Sequence, residues 1–110
     1  MENKEFGNPA DWYYNIEKIR MVPFVPDGDN VILDIGCANG RLGRKLRDLH
    51  KASELIGVEI FNPAADEAAK FYDKVYRGDI ESLTLPYKEY FDFVICGDIL
   101  EHLRDRKSVV

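Results

Sequence analysis

An apolar run that ends in a turn of small residues constrains the fold of this chain most. Residues 31–40 read Val-Ile-Leu-Asp-Ile-Gly-Cys-Ala-Asn-Gly, in which Asp34 is the one charged side chain. An apolar helix pattern follows at once, with Leu42, Leu46 and Leu49 on one face. Strand, small-residue turn and helix together bring backbone N–H groups toward a nucleotide-like ligand, so this segment predicts both an α/β fold and a binding site.

The composition limits the number of domains and the kinds of partner. The 110 residues allow a single domain, 1–110, in which 1–29 supply an N-terminal helix and lead-in. A formal net charge of −5 argues against nonspecific binding to nucleic acid by this chain. No apolar stretch is long enough for a membrane span or a signal peptide, and two cysteines give no disulfide framework. We therefore expect a cytoplasmic protein with no membrane contact.

Helix and strand patterns alternate along the chain. Four short segments are predicted to be strands, at 31–35, 55–58, 74–77 and 91–96. Helices are predicted at 9–21, from Arg41, from Asn62 as N-cap, and after Gly97-Asp98, where Asp98 and Glu101 form a capping-box pattern. This alternation predicts a parallel sheet with helices on both faces, in a chain that ends after the fourth strand and its following helix.

An acidic residue stands at or just after the end of each predicted strand. These residues are Asp34, Glu59, Asp79 and Asp98. Ligands of open α/β sheets bind at the carboxyl edge, where these four side chains are expected to gather. Glu59 follows Gly40 by 19 positions, which is the spacing of an acid that accepts hydrogen bonds from ribose hydroxyls.

The turn itself discriminates between two classes of nucleotide ligand. A dinucleotide turn reads Gly-x-Gly-x-x-Gly, and the spacing of Gly36, Ala38, Gly40 and Gly43 fits it poorly. Asp34 would also repel a pyrophosphate, whereas it would attract a cationic ligand. S-adenosylmethionine carries a sulfonium and an ammonium group and no phosphate.

Four segments resemble motifs of one family, the class I S-adenosylmethionine-dependent methyltransferases. Residues 31–40 resemble motif I, and Glu59 is similar to the ribose-binding acid that ends the second strand. Residues 78–80, Gly-Asp-Ile, resemble the adenine-contacting motif. Residues 91–103 resemble the fourth-strand motif of small-molecule and natural-product methyltransferases. The resemblance covers about 30–103, which is most of the chain.

The resemblance implies a Rossmann-like sheet, a bound S-adenosylmethionine and a role for each matching residue. Asp34 and the turn 36–40 would hold the methionine end, Glu59 the ribose, and Asp79 the adenine. The predicted cofactor-binding residues are Asp34, Gly36, Cys37, Ala38, Asn39, Gly40, Glu59, Ile60, Asp79, Ile80, Gly97 and Asp98. No catalytic acid or base and no metal site is predicted. Ala38 stands where many members have glycine, and alanine is tolerated there if its φ is negative.

The resemblance also implies that strands of the complete fold are missing here, so we expect an N-terminal half that is inactive alone. The fourth strand, 91–96, would then be an exposed apolar edge, which predicts a homodimer through that strand. The methyl acceptor is open, with a small molecule favoured. Two alternatives remain: an aminopropyltransferase-like enzyme on the same fold, and a noncatalytic cofactor-binding or assembly module.

Overall fold

A computed structural model describes residues 19–97 and 99–102, which form one five-stranded sheet flanked by two helices. The strands are β1 (Val31–Ile35), β2 (Glu54–Glu59), β3 (Lys74–Arg77), β4 (Phe93–Cys96) and β5 (Ile99–His102). The helices are α1 (Arg41–Asp48) and α2 (Asn62–Ala68), preceded by a short 3₁₀ turn at Val22–Phe24. The sheet order is β3-β2-β1-β4-β5, and β1 to β4 run parallel. Most of the predicted helix 9–21 lies outside the described residues.

The two faces of the sheet are covered differently. On one face, Leu42 and Leu46 of α1 pack with Ile32 of β1 in a core that Ala68 of α2 also joins. On the other face, the connection 78–92 buries side chains against β1, β2 and β4. The predicted α/β fold with a Rossmann-like parallel sheet is confirmed. Within the described residues, however, both helices lie on one face, and an irregular connection covers the face where further helices were expected.

The helix predicted after Gly97-Asp98 is wrong, because Ile99–His102 forms β5, which pairs antiparallel with β4. Gly97 has φ +65°, and Gly-Asp between two apolar runs is a two-residue hairpin signal. Pairing also satisfies backbone groups along the outer edge of β4 that would otherwise lack partners, which outweighs the capping-box pattern. The fourth strand is therefore not the open edge on which we predicted a homodimer, and a dimer there would have to displace β5.

The start of α2 differs by one residue from the prediction. Phe61, not Asn62, is the cap residue, since its carbonyl oxygen accepts the first helical hydrogen bond from Ala65 N at 3.0 Å. Pro63 lies in the first turn, where its missing N–H costs nothing. Neither helix, nor any other in the described part of the chain, has the length and apolar character needed to cross a membrane.

Candidate functional site

The parallel register brings the carboxyl ends of four strands to one edge of the sheet. Ile35 of β1 lies opposite both Val58 of β2 and Cys96 of β4, and Glu59 lies opposite Arg77 of β3. The segments that follow these ends are 36–40, 60–61, 78–80 and Gly97. Most of the predicted site residues are thus brought to one edge, while Asp98 lies outside the described residues. Their roles toward a ligand remain predictions.

The turn 36–40 is held in place by hydrogen bonds within the protein. Gly36 N and Cys37 N both donate to Val58 O, at 2.7 and 3.0 Å, and Gly40 N donates to Cys37 O at 3.0 Å. These amides were expected to point toward a ligand, but the protein itself uses them. The Cys37 side chain is 1% exposed and belongs to the core. The turn therefore takes its shape from β2 and presents a preformed surface at the edge.

Glu59 joins the end of β2 to the middle of this turn. Its Oε1 accepts from Ala38 N at 2.7 Å, and its Oε2 accepts from Phe61 N at 3.0 Å. A carboxylate oxygen can accept two hydrogen bonds, so each keeps capacity for a further donor. Glu59 can therefore anchor the turn and also accept hydroxyl donors from a ligand.

Ala38 adopts a left-handed backbone conformation, with φ +53°. We expected alanine to be tolerated here if its φ were negative, and the positive φ shows that this condition is not met. For a residue with a Cβ this conformation costs about 1–2 kcal/mol. The hydrogen bond from Ala38 N to Glu59 helps to hold it. The glycine that the family often has at this position would adopt the same turn without strain.

Asp34 does not face the open edge of the site. Its side chain is 1% exposed, and its Oδ2 accepts a hydrogen bond of 2.5 Å from the hydroxyl of Tyr72. The same hydroxyl accepts from Gly43 N, in the first turn of α1, at 3.0 Å. Burial raises the pKa of Tyr72 well above its usual value, and the negative charge of Asp34 raises it further. The phenol therefore stays neutral and donates to Asp34.

Tyr72 was missed by the sequence analysis, although two glycines mark its place. A Cβ on Gly43 would lie 2.2 Å from Tyr72 Cε1, and a Cβ on Gly57 would lie 3.0 Å from Tyr72 Cδ2. Gly43 leaves space that the ring fills, and Gly57 leaves space for both the ring and Cys37 Sγ, which would lie 2.8 Å from the added Cβ. An isolated glycine within a helix pattern, as at Gly43, is a signal of such a close approach.

The β2 and β3 side of the edge combines apolar surface with carboxylates. Ile60 is 68% exposed and Phe61 is 60% exposed, directly after Glu59. Asp79 is exposed, and its Oδ1 accepts from Glu81 N at 3.0 Å. Within the described residues, neither Glu59 nor Asp79 takes part in an ion pair. Exposed apolar surface between acceptors suits a flat apolar ring with hydroxyl and amino donors.

Two further predicted residues differ in their surroundings. Ile80 is half-buried and packs into the core beneath the connection 78–92. Asn39 is half-buried, and its side-chain oxygen is a buried acceptor without a hydrogen-bond partner in the described part of the chain. An acceptor of this kind in the turn fits a ligand that brings a donor. The residues at this edge therefore fit the adenosine and amino-acid groups of S-adenosylmethionine.

Within the described residues, no candidate metal site competes with this edge. In residues 19–97 and 99–102, no group of three or more His, Cys, Asp or Glu side chains could hold a metal ion. A surface cavity of about 460 Å³ lies between α1 and residues 70–73, on the helix side of the sheet. Among its lining residues, Arg47 pairs with Asp73, Lys70 pairs with Glu67, and the guanidinium of Arg44 lies over the ring of Phe71.

Comparison with known proteins gives a family match and several solved structures of the same fold. The family model described as "Methyltransferase domain" matches residues 33–110. A TehB-like SAM-dependent methyltransferase from Corynebacterium glutamicum superposes with a TM-score of 0.59 at 20% identity, covering 82% of this chain and 53% of that one. An S-adenosylmethionine-dependent methyltransferase from Mesorhizobium loti gives 0.55 at 26% identity, covering 81% and 39%. No curated protein matches the sequence.

A third structure was solved with ligands. Phosphoethanolamine N-methyltransferase 1 from Haemonchus contortus, in complex with phosphoethanolamine and S-adenosylhomocysteine, gives a TM-score of 0.59 at 17% identity, covering 78% of this chain and 19% of that one. The chain thus spans about half or less of the length of these solved proteins.

Proposed function

Because this chain belongs to the methyltransferase domain family, we propose that it binds S-adenosylmethionine at the carboxyl edge of its sheet. In a longer protein, the bound cofactor would give its methyl group to an acceptor. The observation that carries the proposal is the position of Glu59, which anchors the turn 36–40 and stands beside the exposed side chain of Ile60. An adenosine ligand requires a carboxylate that accepts hydrogen bonds from the ribose hydroxyls and, next to it, an apolar surface for the adenine.

Each end of the cofactor has a proposed partner at this edge. The turn 36–40 holds the methionine end, Asp34 acts on that end indirectly from beneath the turn, and Gly97 with Asp98 closes that side. Glu59 accepts the ribose hydroxyls, and Ile60 lies against the adenine. For the adenine edge, Asp79 accepts from the amino group and Ile80 N–H donates to a ring nitrogen. These acidic residues suit a cationic ligand and disfavour a phosphorylated one.

The cofactor supplies an activated methyl group, which leaves its sulfonium by in-line displacement. The work proposed for this chain is to bind and orient that group, since correct orientation of two reactants supplies much of the rate. No side chain of the described residues is assigned as an acid or base. We propose a small-molecule acceptor, on the resemblance of residues 91–103 to small-molecule methyltransferases.

Isothermal titration calorimetry with S-adenosylmethionine and S-adenosylhomocysteine tests the proposal. Glu59→Gln keeps one oxygen for Ala38 N but removes the charge, and we expect binding to weaken roughly tenfold to a hundredfold, as when hydrogen bonds to a charged acceptor are lost. Glu67→Gln is the matched control, because Glu67 lies on the exposed face of α2 and, within the described residues, pairs with Lys70 and with no residue of the proposed site. We expect this control to bind like the parent.

The outcome decides between the proposal and its alternatives. If the folded parent binds neither compound, the proposal is refuted. Tighter binding of decarboxylated S-adenosylmethionine than of S-adenosylmethionine would instead favour an aminopropyltransferase-like enzyme. Binding without methyl transfer in the longer protein, across a panel of small-molecule acceptors, would favour a noncatalytic cofactor-binding module.

A further inference from the structure

Tyr72, which lies outside every motif of the proposed site, connects the two ends of the β1–α1 turn. Its hydroxyl donates to Asp34 Oδ2, just before the turn, and accepts from Gly43 N, just after it. These contacts, at 2.5 and 3.0 Å, link strand and helix through one oxygen atom. The turn between them, 36–40, is the segment proposed to hold the methionine end of the cofactor.

The packing of the ring fixes the position of this hydroxyl. Tyr72 is 5% exposed and lies in the core between β2 and α1. The absence of a Cβ at Gly43 and at Gly57 lets the ring approach both backbones closely. A ring packed on both sides cannot swing without moving a strand or a helix, because protein interiors have few voids. The hydroxyl is therefore held at one place relative to Asp34.

The turn has a second, separate support on its other side. Glu59 holds its middle through Ala38 N and belongs to the ribose side of the proposed site. Tyr72 holds Asp34 and the first turn of α1, which belong to the methionine side. Loss of the Glu59 support should therefore weaken binding of the ribose end of the ligand, and loss of the Tyr72 support should weaken binding of the methionine end.

We propose that Tyr72 is a positioning residue for the amino-acid end of the cofactor, acting through Asp34 and the start of α1. This inference rests on the proposed binding of S-adenosylmethionine. It predicts that the Tyr72 hydroxyl contributes to the affinity for ligands that carry the amino-acid group and not for those that lack it.

Two ligands separate this role from a merely structural one. S-adenosylhomocysteine carries the amino-acid group, whereas 5′-methylthioadenosine keeps the adenine, ribose and thioether without it. For Tyr72→Phe, we expect S-adenosylhomocysteine to bind about tenfold more weakly, the effect of one buried hydrogen-bond network, and methylthioadenosine to bind as in the parent. A general loosening of the fold would weaken both ligands alike, and that result would overturn the inference, as would unchanged binding of both.

A matched control removes another phenolic hydroxyl. Tyr90 donates its hydroxyl hydrogen bond to Glu54, the first residue of β2, at the opposite edge of the sheet. Tyr90→Phe should leave the affinities for both ligands unchanged. If the parent itself binds neither ligand, the proposed function fails, which is a different outcome from an equal loss of both affinities in Tyr72→Phe.

A measurement on the unsubstituted protein keeps the inference testable if Tyr72→Phe does not fold. In ¹⁵N-labelled protein, the Gly43 amide reports on the contact with the Tyr72 hydroxyl. Saturating S-adenosylhomocysteine should shift its resonance more than saturating methylthioadenosine, since only the former carries the amino-acid group that would contact the turn between Asp34 and Gly43. Equal shifts with the two ligands would overturn the inference.

Discussion

Replacing Gly43 by alanine should destabilise this protein, although the same change in most helices is stabilising. Gly43 lies in the first turn of α1, where alanine would ordinarily gain up to about 1 kcal/mol of helix propensity. The added Cβ, however, would lie 2.2 Å from Tyr72 Cε1, 2.4 Å from its Cζ and 2.6 Å from its hydroxyl oxygen. Nonbonded heavy atoms do not pack at such distances from a Cβ, so the ring or the helix must move.

The expected magnitude follows from what the ring would lose. Overpacking a core costs roughly 1–3 kcal/mol. A displaced Tyr72 also gives up its contacts with Asp34 and Gly43 N, and a buried polar group left without a partner costs about 1–3 kcal/mol. Set against the gain in propensity, these costs leave a net destabilisation of about 3 kcal/mol, which is a large part of the stability of a small domain.

Urea denaturation followed by circular dichroism measures this effect, and a double-mutant cycle identifies its cause. Leucine at position 72 has no atoms equivalent to Cε1, Cζ and the hydroxyl oxygen, which are the atoms nearest to the added Cβ. In a Tyr72→Leu background, Gly43→Ala should therefore be stabilising by about 0.5–1 kcal/mol. A Gly43→Ala variant as stable as the parent would refute the reasoning, and so would an equal loss in both backgrounds.

Three further predictions concern the turn, the buried phenol and a buried amide. Ala38→Gly should raise the free energy of unfolding by about 0.5–1 kcal/mol, because it relieves the positive φ at a smaller cost in chain entropy; a loss of stability in urea denaturation would contradict this. The raised pKa of Tyr72 means that the folded protein keeps the phenolic proton above pH about 10, where the unfolded chain releases it. The free energy of unfolding therefore keeps this contribution below that pH and loses it as the pH rises. Between pH 9 and 11, the parent should therefore lose up to about 1.4 kcal/mol per pH unit relative to Tyr72→Phe; parallel pH profiles of unfolding would argue against the raised pKa. Asn30→Ala should cost about 2 kcal/mol, because the buried Asn30 Nδ2 donates to Pro26 O and Lys51 O; a cost below about 0.5 kcal/mol in the same assay would show that these contacts contribute little.

The sequence predicted the features that local pattern determines. β1, β2 and β4 are mostly buried, so they read as apolar runs, and parallel pairing brings the segments that follow the strands to one edge. It was misleading where two local signals competed, as at Gly97-Asp98, where the hairpin prevailed over the capping box because β4 needed a partner. Gly43 signalled only that some group packs closely on the helix, and it did not identify Tyr72, whose contact with Asp34 spans 38 residues.

The close packing of Tyr72 on two glycines has a consequence for how related sequences can diverge. Gly43 is small because a large side chain at position 72 occupies its space, whereas Gly57 makes room for Cys37 as well as for Tyr72. A relative with a small residue at position 72 would be free to carry alanine or serine at 43, but position 57 would also need a smaller residue at 37. We therefore expect positions 43 and 72 to vary together in an alignment. A glycine at 43 would then track the size of the residue at 72 more closely than it tracks the ligand.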